Sequence, residues 1–464
     1  MKVCAAIGPL EGPELGQAVA AHIREDWPQC TVVSDDAQVP AGTEALLTVG
    51  TGPDRIMESI LLVERLESQG PLDNILFQID AKLGKLTHSD LVKTKVSFIS
   101  DANRRVSRRE LFNFRGGFQI YSDVPFVFTE RCDARHGCSR CVEVCPVQSL
   151  HIVGGSVAVN EADCVRCGLC AENCPTSAIQ LPRFSEEAFL GLLDGLNVSD
   201  APKKTLVLTC KAGAVKIEPW MCVEEVNDVG VVGPRHLALA ASSSVGAIAV
   251  YCADGRCVGK EKARAAVELI RYISGDEGAV LTFAEGPSGI SEVMSAHALS
   301  RPPKEPMPFA RNTWASYVNA LRAIAREDAS AAGLRLTKLV VSEACTLCGV
   351  CARECPHSAL KTDAGVLSFD PANCTGCSHC VSVCPERAIS LGNLPILSDL
   401  RETAVSQDEV VPCARCGKPL ESARLLKKVV TLLGREDPMM KYCNDCKQRL
   451  AFESLLKRKG QGGT

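Results

Sequence analysis

This sequence is poor in aromatic residues, nearly balanced in charge and without a long apolar run. Aromatic side chains make up 5% of its 464 residues, and the formal net charge is −4 with acidic and basic residues interspersed. That balance does not favour a nucleic-acid partner. The most apolar stretch, residues 237–250, contains three serines and is shorter than a membrane-spanning helix. We therefore expect no membrane span.

Two further absences concern location and chemistry. Residues 1–8 lack the charged and long apolar regions of a signal peptide, so we expect a cytoplasmic location. The sequence shows no flavin or nicotinamide fingerprint and no Ser-His-Asp signature. It therefore indicates no acid, base or nucleophile, and whether the chain is itself an enzyme stays open.

Cysteine, by contrast, is abundant: there are 26, and sixteen of them fall into two blocks of one layout. Each block holds two runs of the C-x2-C-x2-C-x3-C-P type, the spacing that binds paired [4Fe–4S] clusters. Adding 210 to a residue number carries Cys145 onto Cys355 and Cys174 onto Cys384. A disulfide framework or zinc is the alternative, but disulfides suit small secreted domains and zinc pairs rarely form four such runs. We therefore expect four [4Fe–4S] clusters.

The ligand sets follow from a cross-ligation rule, in which the fourth cysteine of each run binds the other cluster of the pair. Its spacing and the rigid proline after it hold it away from its own run. The predicted sets are Cys132, Cys138, Cys141 and Cys174; Cys164, Cys167, Cys170 and Cys145; Cys345, Cys348, Cys351 and Cys384; and Cys374, Cys377, Cys380 and Cys355.

The first run is irregular, because Arg135 stands where a regular run would place a cysteine. Cys132 is the nearby substitute, and the loop after it must bulge to bring its sulfur in. His136 is the alternative ligand, and imidazole ligation would change the cluster's potential. An open iron at this point could instead bind a substrate or a disulfide, so a reductase is the competing hypothesis.

The pattern of the chain predicts an α/β plus α+β architecture. Strands at 3–7 and 44–49 and helices at 14–24 and 57–69 indicate an N-terminal α/β domain over 1–105, with glycine turns at 8–12 and 50–53. A basic helix is expected over 106–112, and hairpins over 150–159 and 360–369. The other predicted segments are dicluster module 1 at 106–185, a parallel-sheet domain at 200–300, a linker and helix at 301–335, dicluster module 2 at 336–395 and a Cys4 lobe at 405–455.

The segment over 200–300 alternates strands at 205–209, 246–251 and 279–283 with a helix at 260–273. This alternation predicts a small doubly wound parallel sheet, whose ligands gather at the carboxyl ends of the strands. Cys210 and Cys252 stand at two such ends, and Cys222 and Cys257 are the other cysteines of the domain. Together they could hold a [2Fe–2S] cluster. Four unconnected buried cysteines are the alternative.

Residues 206–275 resemble the delta (iron–sulfur) subunit of methyl-viologen-reducing hydrogenase. The resemblance rests on Cys210, on the pair Met221-Cys222, on the strand that ends in Cys252 and on Cys257. It implies a [2Fe–2S] cluster that relays electrons between a hydrogenase or formate dehydrogenase and a flavin-containing heterodisulfide-reductase-type subunit. The two cysteine blocks are similar to bacterial dicluster ferredoxins. Their place on either side of this domain departs from the delta family.

Two C-x2-C knuckles near the C-terminus, Cys413 with Cys416 and Cys443 with Cys446, offer four sulfurs in a tetrahedron. A helix over 422–433 would pack between them in a zinc-ribbon-like lobe. We expect one zinc ion, and a single rubredoxin-type iron is the alternative.

These patterns predict a cytoplasmic, multi-cluster carrier of low-potential electrons in an oxidoreductase complex, working in a reducing and anaerobic setting. A scaffold with merely structural clusters is the third hypothesis. With every site filled, the chain would hold about eighteen irons and one zinc.

Overall fold

A computed structural model of this protein describes residues 3–7, 13–33, 45–49, 62–66, 72–87, 124–182, 184–275, 279–301, 305–306, 308–309, 313–326, 328–363 and 365–460. The predicted basic helix over 106–112 and the glycine turn over 50–53 lie outside these ranges, as does the turn over 8–12.

Contacts divide the chain into two compact units, residues 1–134 with 139–326, and residues 135–138 with 327–464. The strands of the first unit are β1 Val3–Ile7, β2 Thr31–Val33, β3 Ala45–Val49, β4 Leu62–Leu66, β5 Phe126–Val127, β6 Leu150–Val153, β7 Ser156–Val159, β8 Ile179–Gln180, β9 Thr205–Thr209, β10 Met221–Glu225, β11 Ala247–Cys252 and β12 Val280–Glu285. Its α-helices are α1 Pro13–Asp26, α2 Leu72–Thr87, α3 Arg140–Glu143, α4 Leu169–Glu172, α5 Glu186–Val198, α6 Pro234–Ala241, α7 Lys260–Ser274, α8 Ile290–Ala298 and α9 Thr313–Ile324.

The second unit is built mainly from antiparallel strands. They are β13 Thr337–Val341, β14 Leu360–Asp363, β15 Val366–Phe369, β16 Ile389–Asn393, β17 Thr403–Gln407, β18 Val410–Pro412 and β19 Pro419–Ser422. Its α-helices are α10 Val350–Arg353, α11 His379–Ser382, α12 Ala423–Leu433 and α13 Asn444–Gly460.

The N-terminal residues form a four-stranded parallel sheet in the order β2-β1-β3-β4. Apolar side chains such as Ala5, Ile23 and Leu47 form its core, with α1 and α2 packed against the strands. The predicted helix over 57–69 is wrong where the chain is described, because β4 pairs in parallel with β3. A short mixture of apolar and charged residues suits either period, and here pairing with β3 decides the outcome.

Helix α2 is buried along most of its length and lies against α5. The two helices approach closely because Gly84 has no side chain: a Cβ atom there would stand 2.1 Å from the carbonyl oxygen of Gly191. Helix α2 also reaches the central sheet, where Lys82 Nζ lies 2.6 Å from Glu224 Oε2 and Lys85 Nζ contacts the other carboxylate oxygen. All three charged side chains are buried.

The central domain is a four-stranded parallel sheet in the order β10-β9-β11-β12, as its alternating pattern predicts. Strands β9 and β11 are buried throughout, and helices α6, α7 and α8 pack against the sheet. The chain passes from β9 to β10 on one side and later enters β11 on the other. The carboxyl ends of β9 and β11 therefore form a topological switch point, where ligands of such sheets bind.

Each cysteine block folds as a β-hairpin between two one-turn helices. In the first block α3 and α4 flank β6 and β7, and in the second α10 and α11 flank β14 and β15. Adding 210 to the bounds of the first set gives those of the second, residue for residue. Both predicted hairpins are confirmed, and the outer strands pair in the same antiparallel way, β5 with β8 and β13 with β16.

The C-terminal part pairs β18 with β19 and continues into α12, where the sequence predicts a helix. Within the described ranges, no helix combines the length and the apolarity that crossing a bilayer requires.

The buried ion pairs of α2 yield a stability prediction. Glu224→Gln leaves two buried lysine charges without a carboxylate, so we expect a loss of about 3–5 kcal/mol in the free energy of unfolding. Chemical denaturation of the anaerobically prepared chain, followed by circular dichroism, measures it. Glu225→Gln, at the exposed neighbouring position of β10, is the matched control. Equal shifts for both variants would contradict the prediction.

Candidate iron–sulfur and metal sites

The cysteine loops share an uncommon backbone feature, a left-handed residue on each side of one cysteine. In the first unit Arg166 (φ 60°) and Gly168 (φ 71°) flank Cys167. The same pairs recur in the second unit, at Leu347 and Gly349 and at Gly376 and Ser378. Residues other than glycine rarely adopt this conformation, so its recurrence indicates a required loop shape. Such turns direct successive backbone N–H groups to one concave side, where anionic sulfur is stabilised.

Four cysteines of the first module line one cavity: Cys145, Cys164, Cys167 and Cys170. The cavity joins the fourth cysteine of one run to the first three of the next, which is the grouping expected from cross-ligation. Burial raises the pKa of the Cys167 thiol, and the charges of Asp228, Cys145 and Cys164 add to this effect. These sulfurs are close enough for one to act on the ionisation of another.

Two groups of sulfurs in the second unit act on one another in the same way. Burial and then neighbouring thiolates raise the pKa of Cys351 to about 11 and that of Cys380 to about 12. The thiolates that act on Cys351 are Cys345, Cys348 and Cys384, and those that act on Cys380 are Cys374, Cys377, Cys351 and Cys355. Each group contains the fourth cysteine of the other run. The action of Cys351 on Cys380 puts the two groups side by side.

The cysteines before proline accept a hydrogen bond from the backbone N–H four residues later. The pairs are Ser149 to Cys145 at 3.3 Å, Ala178 to Cys174 at 3.2 Å and Ala388 to Cys384 at 3.3 Å. Ser149 adds its hydroxyl, 3.4 Å from the Cys145 sulfur. Burial opposes ionisation of Cys145, but these bonds outweigh it and lower its pKa. They also stabilise the more negative, reduced state of a bound cluster.

The first run departs from this regular geometry. After the buried Cys132, the inserted residues coil into a 3-10 helix, Asp133–His136. Gly137 is left-handed at φ 99°, but Ser139 has φ −128° where the other three runs have a left-handed residue. By its contacts Cys138 belongs to the second unit, whereas Cys132 belongs to the first. Ligation by Cys132, with His136 as the alternative, stays a prediction.

The central domain gathers three of its four cysteines at the switch point of the sheet. Cys210 follows β9, Cys252 ends β11, and Cys257 lies in the loop beyond. Their sulfurs and a carboxylate oxygen of Asp254 all lie within 4.8 Å of one another. The hydrogen bond from Cys257 lowers the pKa of Cys210 to about 6.

The structure does not bring Cys222 to this group. Cys222 is fully buried in β10, and the parallel register pairs it with Leu206, four positions before Cys210. At about 3.3 Å per residue, this separates it from the carboxyl edge by about 13 Å. The sequence shows a cysteine after an intervening segment but gives no strand register. Sequence analysis also missed Asp254, although a carboxylate two residues after a cysteine in C-A-D-G-R-C is a possible ligand.

The C-terminal knuckles converge as their spacing suggests. One sulfur from each of Cys413, Cys416, Cys443 and Cys446 lies within 4.8 Å of the others, and the sulfurs of Cys416 and Cys443 are 3.7 Å apart. A tetrahedral ion with metal–sulfur bonds of about 2.3 Å has ligands about 3.8 Å apart. Burial opposes ionisation of Cys413, but backbone N–H groups, first that of Cys443, lower its pKa to about 6. The site can therefore hold a thiolate-bound metal.

The repeated hairpins, left-handed loops and grouped sulfurs define an iron–sulfur protein with two dicluster modules. Residues 131–186 and 338–392 each match a family model described as a 4Fe-4S dicluster domain. Ferredoxin-1 of Chlorobaculum tepidum is 37% identical over 60 residues, which are 12% of this chain and 97% of that protein. A 7Fe ferredoxin of Hydrogenibacillus schlegelii is 39% identical over 64 residues, 14% of this chain and 81% of that protein. The chain belongs to the ferredoxin family.

A further relative belongs to an ion-translocating oxidoreductase complex of Methanosarcina acetivorans, of which it is one subunit. It is 37% identical over 54 residues, 12% of this chain. The match spans 20% of that relative, so the chain covers only about a fifth of its length.

The hydroxyl of Ser149 yields a prediction for one cluster. Ser149→Ala removes a donor to Cys145, and alanine is tolerated because Ala359 occupies the corresponding position of the second module. We expect the midpoint potential of one cluster to fall by a few tens of millivolts. Redox titration followed by electron paramagnetic resonance measures it. Ser291→Ala, whose hydroxyl bonds only within α8 and the turn before it, is the control. An unchanged set of potentials would refute the prediction.

Proposed function

We propose that this protein relays low-potential electrons between redox subunits through four [4Fe–4S] clusters. The observation that carries the proposal is the closeness of the two cysteine sets in each module. Beyond the effect of burial, the Cys141 thiolate raises the pKa of Cys170 in the first module, as Cys351 does for Cys380 in the second. Sulfurs this close would hold paired clusters within easy reach of electron transfer.

Each cluster would take one of the four ligand sets. When bound, the clusters supply one-electron chemistry, with potentials set by thiolate charge, hydrogen bonds to sulfur and burial. The chain's own contribution is to aim the sulfurs, exclude water around the buried ones and donate the N–H and hydroxyl bonds described above. No side chain need move a proton in this scheme.

A relay must dock its partners close to a cluster, and the first module offers a suitable surface. Four exposed apolar side chains form what we call the apolar face: Val147, Ile152, Val153 and Val165, exposed by 40%, 46%, 65% and 47%. Two of them, Val147 and Val165, also line the cavity of the Cys145 set. The corresponding residues of the second module are polar: His357, Thr362, Asp363 and Thr375. Since the two modules share one backbone, the apolar face is not needed for folding, which supports a role in docking.

The kind of complex is part of the proposal. The match to a subunit of an ion-translocating oxidoreductase complex supports an assembly of several redox subunits. The resemblance of residues 206–275 suggests a flavin-containing heterodisulfide-reductase-type subunit on one side and a hydrogenase or formate dehydrogenase on the other. We place this assembly in the cytoplasm.

The two remaining sites stay outside the relay. The C-terminal Cys4 site would hold one zinc ion that keeps its lobe folded, with a rubredoxin-type iron as the alternative for the same ligands. The [2Fe–2S] cluster expected in the central domain would need a fourth thiolate, and Cys222 lies at the far end of its strand.

Iron content and reducibility test the relay. The anaerobically reconstituted chain should contain about sixteen irons as four cubanes, and dithionite should reduce most of them. Cys384→Ala should disturb one cluster, whereas Ser382→Ala, two residues away, should disturb none. Resonance spectra of the reduced chain report both. Clusters that dithionite leaves oxidised would favour a structural scaffold instead.

Exchanging the apolar face tests docking. The variant with Val147→His, Ile152→Thr, Val153→Asp and Val165→Thr carries residues that the second module already has at these positions, so its iron content should be unchanged. Electron transfer from subunits co-purified in the native host should slow by at least about tenfold, because the apolar contact is lost. Val340→Thr, an exposed valine of β13, is the control. Full activity of the exchanged variant would rule out this docking face.

A further inference from the structure

The central domain brings three thiols and one carboxylate to a single point. Cys210, Cys252, Asp254 and Cys257 each place a ligand atom within 4.8 Å of the other three. The Cys210 sulfur lies 3.9 Å from Asp254 Oδ1, and the backbone N–H of Arg256 donates to the same oxygen at 3.0 Å. Cys252 is buried, and Asp254 closes the group on its exposed side.

These distances suit one metal ion. Two sulfurs bound to a single ion lie at most about 4.6 Å apart, twice a bond of about 2.3 Å, and about 3.8 Å apart in a tetrahedron. A [2Fe–2S] cluster inserts a second iron and two bridging sulfides between its pairs of ligands, so ligands on different irons stand further apart. The compact group in this domain leaves no such separation.

Backbone N–H groups surround these sulfurs as they surround those of the C-terminal site. The N–H groups of Asp254 and Ala253 point at Cys210, those of Cys257 and Gly255 at Cys252, and that of Val229 at Cys257. Such bonds favour thiolate over thiol, which a metal ligand must be. The group also sits at the switch point between β9 and β11, where ligands of doubly wound sheets bind.

We propose that Cys210, Cys252, Cys257 and Asp254 bind a single zinc ion in a tetrahedral site of three sulfurs and one oxygen. Zinc accepts both cysteine sulfur and aspartate oxygen at four-coordinate sites, whereas magnesium and calcium require oxygen ligands. The ion would fasten the loop after β11 to the end of β9. Because zinc has no redox chemistry, electrons would not pass through this domain, in contrast to the [2Fe–2S] relay that the family resemblance implies.

Metal analysis of the full chain tests this site. Cys210→Ser and Asp254→Ala should each lose about one zinc per chain, and the cubane iron should be unchanged. Cys222→Ser should lose neither metal. Asp254→Cys supplies a fourth thiolate and should keep the zinc, which separates loss of a ligand from loss of the fold.

Zinc-edge X-ray absorption identifies the ligands. In a Cys443→Ser background, which disrupts the C-terminal Cys4 site, the remaining zinc should show three sulfurs at about 2.3 Å and one oxygen at about 2.0–2.2 Å. Zinc that persists in Cys210→Ser, or about two irons beyond the cubanes that vanish with it, would overturn the proposal. Reduction of the cubanes by dithionite is read separately, so failure of the zinc site and failure of the relay are distinguishable.

Discussion

Bringing thiolates together in a protein interior is unfavourable, and the cysteine modules depend on offsetting that repulsion. Burial and neighbouring thiolates raise the pKa of Cys374 and of Cys351 to about 11, and that of Cys380 to about 12. Without a metal these thiols stay protonated at neutral pH. Iron reverses the balance because it binds the thiolate, so cluster binding contributes directly to the folding of the module. The left-handed turns beside the cysteines are tolerated for the same reason.

The two modules show which residues the clusters require and which they leave free. Hairpin bounds, one-turn helices and left-handed positions coincide after a shift of 210 residues. What differs lies outside the cysteine loops: the apolar face of the first module is polar in the second, and Ser149 is replaced by Ala359. One backbone can therefore carry two sets of partners and potentials, because neither property depends on the residues that aim the sulfurs.

The predictability of each feature follows from how local its cause is. The hairpins and the strand at 205–209 were predictable because alternating side chains and glycine turns act within a few residues. The left-handed Leu347 was not, since propensity disfavours it and only the cluster loop requires it. Strand β4 and the position of Cys222 depend on pairing with distant strands, which composition does not report. The ligand sets of the second unit were predictable because spacing and proline restrict where each sulfur can point.

The first module is not an independent ferredoxin attached by a linker. Arg235 of α6 is buried, pairs with Glu186 of α5 and donates to the carbonyl oxygen of Cys174 at 2.7 Å. The central domain thereby holds the loop that carries the fourth cysteine of a run. A guanidinium this close to Cys174 also favours extra negative charge on its cluster, which raises the potential of that cluster. The central domain can thus influence electron flow through the first module by charge and rigidity, without carrying an electron itself.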